Sequence, residues 1–296
     1  MCWLCDAKTS AAAQPPVGDA PSEHRWSSRR AFVLAGAGAA TLGATGTALA
    51  QVDVGKASSL RKLVPAERLE AAAGEQYAQM LAQARSQRAL APDDHPQLLR
   101  LRAMARKLIQ FAAPWNDRAR QWRWEVNLIG SKQINAFCMP GGKIAFYTGI
   151  LDQLKLSDDE AAMIMGHEMA HALREHARER IAKSQATGLG LSIGAQLLGL
   201  GELGNMAANL GTQLLTLKFS RDDEAEADLV GLELAARAAY QPEASVTLWQ
   251  KMTQAGGGGS GPGFLSTHPS GPDRIRELQD NVPKVEALYN QARRGG

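Results

Sequence analysis

Aromatic residues make up only 5% of this 296-residue chain, cysteines number three, and neither sign of charge dominates, with 33 Lys and Arg against 30 Asp and Glu. A formal net charge of +3 lacks the basic excess that neutralising many phosphates requires, so no nucleic-acid partner is expected. Cys2 and Cys5 form one C-x-x-C, and without a second such pair they are too few for a zinc knuckle. Cys138 stands alone further on, expected as a small buried hydrophobe with no disulfide partner. No repeat array is present, so residues 51–296 are expected to form one compact domain.

Long apolar runs are scarce as well. Residues 186–217 are the main candidate, but Gly201-Glu202-Leu203-Gly204-Asn205 splits them into halves of roughly fifteen uncharged residues, short of the ~20 that span a bilayer. Their repeated Gly lowers helix propensity, and a helical hairpin covering the active site is expected. Peripheral membrane contact or self-association through this patch is the alternative.

Against these absences stands His167-Glu168-Met169-Ala170-His171, an H-E-x-x-H pentapeptide. Residues four apart share a helical face, so both imidazoles can reach one metal ion. Glu168 is turned off their shared line, where it can take a proton from a water that the metal activates. Ser157-Asp158-Asp159-Glu160 reads as a capping box that opens the helix, which is expected to run to about Ile181. Gly166 suggests close backbone approach, near the metal or in ordinary helix packing.

A third ligand decides whether this is a site or a solvated helix face. The metzincin continuation is excluded, because position 174 is Arg and position 177 is Ala. Glu224 and Asp228, four apart on a later helix, answer instead. Glu224 would complete the ligand set, and Asp228 would accept the free ring N–H of a ligating histidine. His176 lies about 140° round the helix from His171 by periodicity and is expected to face solvent. His24 is set aside with the N-terminal segment.

With these residues in place, the chain resembles the gluzincin peptidase family of CAAX prenyl endopeptidases, HtpX heat-shock proteases and the mitochondrial inner-membrane stress protease, and within it the soluble periplasmic LoiP and BepA type. Two further elements carry the resemblance. Asn135-Ala136-Phe137-Cys138-Met139-Pro140-Gly141-Gly142 is similar to the family's N-A-F-x-x-P-G-G, and Thr267-His268-Pro269-Ser270 with Arg274-Ile275 to its T-H-P-S and R-I. The likeness covers roughly residues 60 to 282 and implies an α+β, mostly helical zincin-like fold with one Zn²⁺ per chain. It also implies that Asn135 and Ala136 hold an extended substrate backbone by strand addition. His268 it places near the metal, either steadying an oxyanion or filling the open coordination position in a self-inhibited state.

Trp122 to Ile129 and Lys143 to Thr148 read as strands of a small antiparallel sheet joined through Pro140-Gly141-Gly142. Helices are expected at Pro65 to Arg88, Pro96 to about Ala113, around Glu224 and at Glu243 to Ala255, with two short terminal ones. Ser28-Arg29-Arg30-Ala31-Phe32-Val33-Leu34 resembles a twin-arginine export signal, followed by an uncharged stretch ending Ala48-Leu49-Ala50. Cleavage there and a periplasmic location are the expectation. The segment carries four Lys or Arg and three Asp or Glu, so its loss takes the charge from +3 to +2.

The expected function is therefore a zinc endopeptidase for unfolded or misassembled envelope proteins, with His167, His171 and Glu224 on the metal and Glu168 as general base. The alternative is a chaperone-like binder with a structural or latent zinc site, disfavoured by the intact Glu168. A prenyl-protein endopeptidase is disfavoured by export and by the lack of convincing membrane spans.

Overall fold

Tyr77 and the glycines of the Pro140-Gly141-Gly142 turn explain how the sheet forms. The computed structural model describes residues 52–186, 214, 217–256, 263–268 and 272–295, all within one compact unit. The N-terminal segment 1–50 with His24, and the apolar hairpin expected across 186–217 except for Leu214 and its two ends, lie outside the described residues. Helix α1 (Ala66–Ser86) lays Tyr77 against the sheet, its hydroxyl donating to the Ile144 carbonyl and accepting from Asn127 Nδ2 at 3.0 Å.

The sheet holds β1 (Glu125–Ile129), β2 (Ala136–Met139) and β3 (Lys143–Tyr147) in the order β1-β3-β2. The all-antiparallel expectation needs correction: β2 and β3 form the antiparallel hairpin, whereas β1 pairs with β3 in parallel. The reason lies in the turn, which joins β2 to β3 and not β1 to β3. Gly141 and Gly142 both take positive φ there (+82° and +76°), and a Cβ on Gly142 would fall 2.7 Å from the Trp124 ring. The β2 segment thus serves as the crossover that a parallel pair requires.

Helix α2 (Pro96–Ile109) starts with proline at its first position, and short α3 (Thr148–Gln153) follows β3. Helix α4 (Asp158–Leu173) opens on the expected capping box, with Ser157 Oγ accepting from Glu160 N at 3.2 Å and Glu160 accepting from Ser157 N at 2.9 Å. From Glu160 onward every residue of α4 is buried, as expected of a helix at the centre of a core. It does not run on to Ile181. The chain breaks at Glu175 (φ +59°), and α5 (His176–Ala186) starts anew.

Helix α6 (Arg221–Arg237), capped by Ser220 and Asp223, crosses α4 at minimal separation. A Cβ on Gly166 would lie 2.7 Å from the Gly231 carbonyl oxygen, and one on Gly231 would lie 2.6 Å from the His167 nitrogen. Helices α7 (Ala244–Gly256), α8 (Phe264–Thr267) and α9 (Pro272–Gly295) complete the described chain. The last is long, where a short helix was expected, because Pro283 sits inside it without ending it. Among the described residues, no helix is long and apolar enough to cross a membrane.

Adding one methyl group at the α4–α6 crossing tests how tightly it is held. Gly166→Ala or Gly231→Ala should each lower stability by about 1–3 kcal/mol, the usual range for overfilling a packed core. The measurement is the urea midpoint at unchanged slope; a wild-type midpoint would show that the helices separate without cost.

Candidate metal centre

The crossing of α4 and α6 brings three predicted residues face to face, and the loop after α8 adds a fourth. His171 Nε2 lies 3.1 Å from His167 Nε2. Glu224 reaches both, with Oε2 3.6 Å from His167 Nε2 and Oε1 3.5 Å from His171 Nε2. His268 Nδ1 approaches Glu224 Oε1 at 3.0 Å and His167 Nε2 at 3.3 Å. All four side chains are buried, and one donor atom from each lies within 4.8 Å of the others.

Donor chemistry and spacing both fit a zinc ion, which is the cofactor of this centre. Four ligands at tetrahedral angles and bond lengths of about 2.0–2.1 Å would stand roughly 3.4 Å apart, and the contacts just given scatter around that value. Two imidazoles turn Nε2 lone pairs toward each other beside a carboxylate, an arrangement that a cation resolves. Burial keeps His167 and His171 below the usual imidazole range, and neighbouring His167, His176, His268 and Arg274 depress His171 further, favouring the neutral form a ligand requires.

Glu168 lies beside this group and outside it. Oε1 has no hydrogen-bond partner among the described residues and stands 3.5 Å from His268 Nε2. Burial, with the Glu224 charge adding to it, pushes the carboxyl up to about 7, despite the opposing pull of His268 and a hydrogen bond from the Cys138 backbone. In the metal-free protein this carboxyl therefore holds its proton to higher pH than an ordinary glutamate. Burial alone would lower His268, but the Glu168 and Glu224 carboxylates raise it.

Asp228 lies behind His167, its Oδ1 3.0 Å from Nδ1. Burial opposes ionisation of Asp228, but the Arg274 charge and hydrogen bonds from His167 and Arg274 hold the carboxyl at about 2. Arg274 was legible only as part of a motif. It is buried, pairs with Glu224 Oε2 at 2.6 Å and with both oxygens of Asp228, and stacks its guanidinium 3.5 Å from the Trp249 ring centre.

His176 contradicts its expected solvent-facing position. It is 2% exposed and packs behind His171. On one continuous helix His176 would lie about 140° from His171, but the left-handed turn at Glu175 swings the residue back inward. Its signal in the sequence was only its proximity to the pentapeptide. Glu226, which it contacts, was likewise overlooked.

A cleft enclosing about 760 Å³, open mouth included, runs along β2 to Glu168, His171 and His268. Asn135 and Ala136 both line it. The Asn135 carbonyl accepts from Tyr147 N at 3.1 Å, and Ala136 pairs with Phe146. Cys138 lines the same wall, buried as expected, and burial pushes its thiol up. Phe219 stacks on His171 with ring centres 3.9 Å apart.

The raised Glu168 carboxyl makes the metal-free fold pH-dependent in a defined direction. Its neutral form is favoured on folding, so its contribution is full below its ordinary value of 4.5 and lost as pH rises through about 7. In chelator-treated protein, the stability of wild type relative to Glu168→Gln should fall between about pH 4 and pH 8 and then level off. A difference that stays flat across that window would show an ordinary carboxyl.

Comparison with known proteins places the chain among metallopeptidase sequences. The Peptidase family M48 model matches residues 97–282. The mitochondrial metalloendopeptidase OMA1 of Schizosaccharomyces pombe is 35% identical over 197 residues, covering 66% of this chain and 56% of that protein. OMA1 of Arabidopsis thaliana is 38% identical over 174 residues, 58% of this chain and 35% of that protein. The metalloprotease LoiP of Escherichia coli is 28% identical over 163 residues, 51% of this chain and 60% of that protein. The chain thus spans between about a third and three fifths of the length of these relatives.

These relatives correct the expectation of a periplasmic location reached by twin-arginine export. The likeness to OMA1 proteins of yeasts, a plant and vertebrates, which are named as mitochondrial, stands against it. A short Ser-Ser-Arg-Arg signal is weak evidence, since Arg- and Ser-rich composition also marks organelle transit peptides. The family match covers the pentapeptide, the Glu224 helix and the Arg274 element together, and on that extent the chain belongs to peptidase family M48.

Proposed function

We propose that this chain is a zinc-dependent endopeptidase that cuts unfolded or misassembled polypeptides. The observation that carries the reading is the convergence of His167, His171 and Glu224 with a buried Glu168, whose Oε1 lacks a hydrogen-bond partner among the described residues, at the end of a strand-lined cleft. One zinc ion per chain, held by those three residues, would supply Lewis-acid polarisation of the attacking water and of the scissile carbonyl. Glu168 takes the proton from that water and passes it to the leaving amine, the double role of a positioned acid–base carboxyl.

Substrate binding falls to β2. It has one sheet neighbour among the described residues, β3, and its outer side borders the cleft. An extended polypeptide added there, with Asn135 and Ala136 engaging its backbone, is recognised through main-chain hydrogen bonds more than through side chains. That favours unfolded segments over folded ones. Asp228 and Arg274 keep His167 and Glu224 oriented while the proton moves.

His268 occupies the space of a fourth ligand, 3.0 Å from Glu224 and 3.3 Å from His167. In this reading the resting enzyme is self-occluded, and substrate entry displaces the histidine. His268→Ala should then cut casein several-fold faster at unchanged zinc content, an order-of-magnitude expectation for removing a minor-state penalty. Slower cutting would assign His268 to stabilising the tetrahedral oxyanion instead.

Casein digestion by the full chain, compared with chelated and Glu168→Gln protein, tests the whole reading. Chelation should abolish cutting, and Glu168→Gln should lower kcat by about 10²–10⁴-fold, the usual worth of a positioned acid–base group. Undiminished cutting by Glu168→Gln would remove Glu168 from the chemistry. One bound zinc without cutting by any form, His268→Ala included, would favour the client-holding alternative.

A further inference from the structure

A second histidine stands directly behind His171. Nδ1 of His171, the ring nitrogen turned away from the donor cluster, lies 2.9 Å from Nδ1 of His176. Nε2 of His176 lies 3.3 Å from Glu226 Oε2. A carboxylate only accepts, so His176 carries its proton on Nε2 and donates it to Glu226. Its Nδ1 is then a lone pair, which accepts from Nδ1–H of His171. The remaining nitrogen of His171, Nε2, is left bare and aimed at His167 and Glu224, the form in which an imidazole can hold a metal.

The line is anchored at its outer end. Arg174 Nε donates to the same Glu226 oxygen at 2.7 Å, and its Nη2 donates to the Gly55 carbonyl at 3.0 Å. His176 and Arg174 are both buried, and the Glu226 carboxyl at the outer end is partly exposed. Phe219 stacked on His171 restricts the ring plane from one face. His167 reaches a carboxylate in one step through Asp228, whereas His171 reaches one in two.

We infer that His176 and Glu226 are positioning residues for the metal, a Glu226-to-His176-to-His171 line that fixes the tautomer and ring orientation of His171. The inference rests on His171 being a ligand, as proposed above. Neither residue lines the cleft. Such outer partners typically change metal affinity by about 10–100-fold when removed.

Competition for zinc between a chromophoric chelator and the full-length chain tests this without relying on activity. His176→Leu and Glu226→Ala should each weaken zinc binding by about 10–100-fold. His176→Asn, whose amide oxygen can accept near the former Nδ1, should recover most of the loss. The absorption bands of the Co²⁺-loaded protein should shift in His176→Leu and stay near wild type in His176→Asn.

Wild-type zinc affinity in folded His176→Leu, checked by circular dichroism, would overturn the inference. So would His176→Asn binding as weakly as His176→Leu, since a lost volume and not a lost acceptor would then be the cause. If His176→Leu does not fold, Glu226→Ala decides in its place, and unchanged affinity there overturns the line. A wild-type chain that takes up no zinc, or His171→Ala binding as tightly as wild type, would overturn the ligand reading itself and the inference with it.

Discussion

Everything in the centre depends on two helices being allowed to touch backbone to backbone. Gly166 precedes the first histidine and Gly231 lies on the facing helix, and neither position has room for a methyl group. A crossing this close places the carboxylate of Glu224 against imidazoles from the other helix, with Asp228 one turn further along the same face. Wider separation would leave the same residues present and the cluster open. Sequence spacing along one helix is set by the 3.6-residue period, but spacing between helices is set by what is missing from their interface.

Burial on this scale concentrates charge, and the charges are balanced in layers. Glu224 and Asp228 carry two negative charges into the core, and Arg274 answers both, its guanidinium lying on Trp249. A buried arginine paired this way keeps the carboxylates ionised before any metal arrives. Glu168 receives no such cation at close range, which is why its carboxyl rises while its neighbours stay low. Position relative to one arginine thus separates the raised carboxyl of Glu168 from the ionised pair Glu224 and Asp228.

Much of this was legible, and the failures have identifiable causes. The pentapeptide, the Glu224–Asp228 spacing and the capping box at Ser157 are local patterns, and each appears where the sequence put it. Gly166 announced a close approach without saying to what. His176 was misread because one residue, Glu175, adopts a left-handed conformation that no local pattern advertised. Strand direction differs because a turn signal names the strands it joins only when every strand is recognised, and the sequence pattern assigns no strand to Ala136–Met139. The location fell to a two-arginine signal that many export and import segments share.

The edge strand also bears on how such a protein survives its own substrates. A chain that handles extended polypeptide keeps company with aggregation-prone segments, and an unguarded sheet edge would template them. Here the edge is four residues long, is stopped by Pro140, and lies along the wall of a cleft. Among the described residues, so short and walled an edge is a poor template for sheet growth.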